Sequence, residues 1–197
     1  MSTTIKNKSA TKSHAMLAYH GDAAFRKRFL AEIRKHEKAD AIVRGTYGEG
    51  TGDAWRGCAV GCSLHSLNRI NGARQLGRDT GVHARYPKEL GIPIELAYLE
   101  DRLFERLPQE LAMAWPMRFS SAIRSGADLS LVWDRFSVWL LVDEADGVIR
   151  FAKNDRTREA IRAVAALFER RIAGGTVMRT EWQEARSNAY AADGAYA

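Results

Sequence analysis

"D-L-S-L-V-W-D-R-F-S-V-W-L-L-V", residues 128–142, is the stretch on which the fold class turns. Its apolar residues cover nearly the whole circumference of a helix, and such a helix belongs in the middle of a domain. The competing reading is a β-hairpin, with strands at 137–142 and 148–152 and a turn over 143–147. The helix is preferred, because Asp128 suits an N-cap and the residues before 137 already carry the helical pattern.

Working outward, helical spacing recurs on both sides. Asp22 is placed as the N-cap of a helix reaching Arg44, with Phe25, Phe29, Ile33 and Val43 in register and Gly45 as its stop. Five glycines between 45 and 57 then make a loop without the spacing of a phosphate-binding loop. A helix over 58–69 carries Val60, Leu64 and Leu67 on one stripe and ends at Asn71-Gly72. Residues 72–91 are irregular. Pro93 opens a helix to about Leu107, with Leu96, Leu99, Leu103 and Phe104 inward, and 109–124 forms another, kinked near Pro116. A helix over 155–173 and a last one after the capping-box spacing Thr180 to Gln183 complete the chain. Trp115, Trp133, Trp139 and Trp182 fall in apolar helical patterns and read as core, whereas Trp55 sits in the glycine loop. The expected architecture is one all-α domain of about seven helices around the apolar helix 128–142. It spans residues 21–186, between a flexible tail (1–20) and an alanine-rich helix end (187–197).

Two cysteines in 197 residues exclude a disulfide scaffold. The N-terminus is polar without an apolar core, so no secretory signal is read, and no apolar run reaches membrane-spanning length. A cytoplasmic protein with no membrane contact is expected. The net charge of +6, from 22 Arg and 8 Lys, fits weak attraction to nucleic acid or another polyanion, although most Arg is interleaved with Glu and Asp.

The chemistry-bearing stretch is "W-R-G-C-A-V-G-C-S-L-H-S-L-N-R", residues 55–69. On a helix, Cys58, Cys62, His65 and Arg69 line one face. Cys58 would occupy the first turn, where free N–H groups and the helix dipole lower a thiol pKa. His36 and Asp40, four apart on the first helix, form a second pair, a carboxylate orienting an imidazole. Convergence of the two pairs would make a thiol or acid–base site. Cys58 would be its nucleophile, His36 or His65 its base and Asp40 the orienting group, with Trp55, Arg56 and Arg69 at the ligand. A metal reading joins Cys58, Cys62 and His65 with His36 or Asp40, but a second closely spaced ligand pair is missing, so no metal or other cofactor is assigned. The structural alternative is that both cysteines pack as small apolar groups. Glu100 and Asp101 could form a carboxylate site, but Asp101 and Glu105 are read as pairing with Arg102 and Arg106 on a wet face.

"G-C-A-V-G-C-S-L-H", together with "E-L-G-I-P", "L-E-D-R-L-F-E" and the tail "A-Y-A-A-D-G-A-Y-A", resembles a group of uncharacterised small proteins of bacteria and their phages. The resemblance implies a bacterial or phage-type soluble protein and no particular activity. Two function classes follow. One is the Cys/His/Asp site on helix 58–69 facing helix 22–44. The other is a non-enzymatic binding protein whose basic first helix contacts nucleic acid or an acidic host protein through Arg26, Lys27, Arg34, Lys35 and Lys38.

Overall fold

A computed structural model describes residues 16–72 and 81–193. Residues 1–15 of the expected tail, 73–80 of the irregular stretch and 194–197 of the alanine-rich end lie outside the described residues. Asp22 caps α1 (Ala23–Lys38) by accepting the Phe25 N–H at 2.8 Å. Cys58 caps α2 (Ala59–Asn71), which ends on Gly72 at a left-handed φ of 67°. Pro93 and Pro108 precede α3 (Ile94–Arg106) and α4 (Gln109–Ala122), and α4 runs on through Pro116. Then come α5 (Val132–Val142), α6 (Asp155–Ile172) and α7 (Arg179–Asp193). The described residues are therefore all-α, with seven α-helices, short turns and isolated β-bridges only. No helix among them is long and apolar enough to cross a membrane.

The helix at the centre is α2. Nine of its residues, from Ala59 to Leu64 and from Ser66 to Asn68, are buried. Its small side chains, Ala59, Gly61, Cys62, Ser63 and Ser66, let α1, α3 and α4 close in around it. Phe29 and Ile33 of α1, Leu64 and Leu67 of α2, and Phe104 of α3 are almost wholly excluded from solvent. Each such side chain contributes about 1.5–3 kcal/mol by leaving water.

The segment 128–142 is helical only from Val132, and it is not the central helix. Its buried residues are Asp134 and Ser137, while Trp139 and Leu140 are exposed. It packs on α6, and α6 on α7, as a C-terminal layer with an alanine-rich interior of Ala160, Ala165, Ala185 and Ala192. Apolarity all round shows that a helix gains from burial. It does not show how many neighbours reach it. Trp139 is thus not a core residue, and Trp115, Trp133 and Trp182 are half-buried. The hairpin alternative is replaced by α5 and a short 3-10 turn, Val148–Phe151.

Three further boundaries move. Residues 16–20, expected as tail, are packed: Ala18 exchanges backbone hydrogen bonds with Gly126 and Ala127, and Tyr19, fully buried, donates to the Ser120 carbonyl at 2.8 Å. The first helix stops at Lys38 rather than Arg44. The last starts at Arg179, where the Glu181 carboxylate accepts the Met178 N–H at 2.8 Å, so a one-sided cap by Glu181 replaces the expected Thr180–Gln183 box.

Candidate functional site

The glycine loop doubles back across the first turn of α2. Ile42 bridges Gly57, Glu49 bridges Arg56, and the Cys58 N–H donates to the Thr46 carbonyl at 2.7 Å. This crossing explains two glycines of the cysteine stretch. A Cβ on Gly61 would lie 2.0 Å from the Tyr47 carbonyl oxygen, and one on Gly57 would lie 2.9 Å from the Trp55 ring. With no side chain at 57 and 61, the loop rests on the helix and Tyr47 reaches α3.

There, Asp101 collects three neighbours. Its Oδ2 accepts from the Tyr47 hydroxyl at 2.9 Å and faces His83 Nε2 at 3.0 Å. Its Oδ1 faces Cys58 Sγ at 3.9 Å. One turn along α3, Glu105 uses Oε1 to accept the Gly45 N–H at 3.2 Å. One ligand atom each from Cys58, Asp101 and Glu105 lies within 4.8 Å of the others. His83 is held between Tyr98, 4.3 Å ring to ring, and Tyr47, edge-on at 5.7 Å. Beneath the cluster Glu100 is wholly buried and accepts from the Tyr86 hydroxyl at 2.6 Å.

Burial sets the protonation states. It pushes the Cys58 thiol up to about 12; the Gly61 N–H opposes this, and Asp101 and Glu100 add to it. The helix N-terminus is present as expected, since Sγ accepts from Gly61 at 3.4 Å, but desolvation outweighs it. Cys58 is therefore a neutral thiol beside a carboxylate, not an activated thiolate. Burial also raises Glu100 to about 8.

The residues expected to join Cys58 form a second cluster. His65 Nδ1 lies 3.3 Å from His36 Nε2, and Trp55 stacks on His65 at 4.0 Å with the rings 13° apart. Burial, then His65, holds the His36 imidazole down to about 4. Asp40 does not orient His36: it lies beyond the end of α1, exposed, with a left-handed φ of 51°. Cys62 is buried with Sγ 3.5 Å from the Gly57 carbonyl, a packing residue. Arg69 pairs with Glu32 at 2.8 Å, tying α2 to α1, and Arg56 is exposed.

The basic helix divides similarly. Arg26 is engaged internally, donating at 2.7 Å to the carbonyls of both Ser121 and Ile123 at the end of α4, and Lys35 pairs with Glu32. Lys27, Arg34 and Lys38 are exposed.

The cluster around Cys58 thus includes Tyr47, His83 and Glu105, which the sequence does not single out as site residues, and Asp101, which the sequence offers with Glu100 as a carboxylate site but favours as a surface pairing. A signal existed: Asp101 and Glu105 are four apart and share one face of α3. The glycine loop and Cys58 lie against that face, leaving Asp101 half-buried and Glu105 exposed, and the carboxylates take Tyr47, His83 and the Gly45 N–H as partners. Comparisons with protein-family models, curated proteins and solved structures return no match.

Proposed function

We propose that this protein binds a zinc-class divalent cation through Cys58, Asp101 and Glu105 and uses it as a Lewis acid. The observation that carries the reading is the convergence of a sulfur and two carboxylates within 4.8 Å, each carboxylate anchored through one oxygen. Tyr47 and His83 occupy Asp101 Oδ2, and Gly45 occupies Glu105 Oε1, so the partner oxygens remain for the ion. Hydrogen bonds of that kind orient metal-ligating carboxylates. Three protein ligands with a remaining position is the pattern of catalytic rather than structural zinc sites. A cation would displace the thiol proton, reversing the effect of burial on Cys58. The chemistry it supplies is polarisation of a bound water or carbonyl.

The test is zinc and cobalt loading of protein purified without a histidine tag. One equivalent should be retained, the cobalt form should show thiolate-to-metal absorption, and Cys58→Ser and Glu105→Gln should each weaken retention at least tenfold. No stoichiometric retention by folded protein, or unchanged retention in both variants, refutes the reading. A second reading, polyanion contact through exposed Lys27, Arg34 and Lys38 of α1, requires DNA or RNA affinity to fall steeply with salt.

A further inference from the structure

We propose that the groove between α4 and the start of α5 binds a small amphipathic anion, with an apolar chain and a single carboxylate head. The groove has a volume of about 820 Å³, within the range of small-molecule pockets. Trp115, Phe119, Ile123, Leu129 and Val132 supply its walls. The Trp115 indole N–H is already spent on the Glu100 carbonyl at 3.0 Å, so this wall offers the ligand only an aromatic surface. Apolar walls hold water poorly and favour a chain.

The head is specified by Arg118 and Arg124, both exposed at the groove. Among the described residues neither side chain has an ion pair or a hydrogen bond. The obvious intramolecular task for a cation here is to neutralise the carbonyls at the end of α4. Arg26 takes Ser121 and Ile123, and Tyr19 takes Ser120. Two guanidinium groups therefore stand beside an apolar groove with no partner among the described residues, the arrangement that suits a carboxylate. The chain's own N-terminal residues do not match it in charge. Residues 1–15 carry Lys6, Lys8 and Lys12 and no acid.

The experiment is titration of the full-length protein with decanoate, below its micelle concentration, by calorimetry and tryptophan fluorescence. Decyltrimethylammonium, with the same chain and the opposite charge, is the control. Decanoate should bind at one equivalent and the cation should not. The double variant Arg118→Gln/Arg124→Gln, altered only at exposed positions, should weaken decanoate about tenfold or more, the loss of one charge-assisted hydrogen bond or more. Trp115→Phe should remove the fluorescence response. Cys58→Ser should change neither readout, which separates this site from the metal cluster. Equal binding of the two chains, no saturable binding, an unaffected double variant, or a full response in Trp115→Phe would each overturn the proposal.

Discussion

Gly61→Ala tests the feature on which the site depends, the passage of the glycine loop over α2. In an ordinary helix interior the change is favourable by about 1 kcal/mol, because alanine restricts the unfolded chain and suits the helix. Here the new Cβ would lie 2.0 Å from the Tyr47 carbonyl oxygen, 2.7 Å from its carbon and 3.1 Å from its Cα, where ordinary contact begins at 3.4 Å. These are backbone atoms, so a rotamer change cannot relieve them. The loop must lift by more than an ångström. That movement strains the Cys58–Thr46 backbone bond and the Tyr47–Asp101 bond. Overpacking costs about 1–3 kcal/mol and each hydrogen bond about 1 kcal/mol. Set against the propensity gain, the net loss is about 2–4 kcal/mol. Urea denaturation followed by helical circular dichroism should show a lower midpoint with an unchanged slope. Metal retention should fall as well, since Tyr47 leaves Asp101. A variant as stable as the parent, or more stable, would refute the crossing and the cluster built on it.

Three other outcomes follow from the protonation states and contacts. Glu100 holds its proton to about 8 when folded and loses it near 4.3 when unfolded, so its contribution is full below the unfolded value and is lost as pH rises through about 8. Glu100→Gln should flatten the fall in stability between pH 5 and 8, and an unchanged slope would contradict the burial argument. His36 behaves oppositely: with its folded value depressed to about 4, its contribution is present above about 6.5 and is lost as pH falls through 4. His36→Phe should remove much of that acid destabilisation in urea midpoints, and equal acid sensitivity would count against the paired imidazoles. Arg26→Gln should cost about 1.5–3 kcal/mol by thermal melting, from two carbonyl bonds made by a charged donor; a neutral effect would mean that water serves those carbonyls equally well.

Much of the helical order is legible along the chain because its signals are local. The Asp22 cap, the Cys58 start of α2 and its Gly72 end depend on residues a few positions apart. Pro93 marks the start of α3 for the same reason. The pairing of His36 with His65 is only half legible. Each can be placed on its helix, but the choice of His65 over Asp40 required knowing that α1 stops at Lys38.

Periodicity assigns residues to the faces of a helix, and it does so for α2 and α5 alike. Which face meets which neighbour is a property of packing. Asp101, 43 positions after Cys58, becomes its partner because Gly57 and Gly61 let the loop settle and bring α2 and α3 under Tyr47. The same packing raises the thiol where the helix terminus alone would lower it, because desolvation depends on everything surrounding Cys58. By itself, then, the sequence determined the helices and the position of Cys58 at the start of one. Only the tertiary structure decided that α2 rather than 128–142 is central, and that the cysteine faces carboxylates rather than histidines. Helical signals act over a few residues, whereas burial and charge depend on segments far apart in the chain.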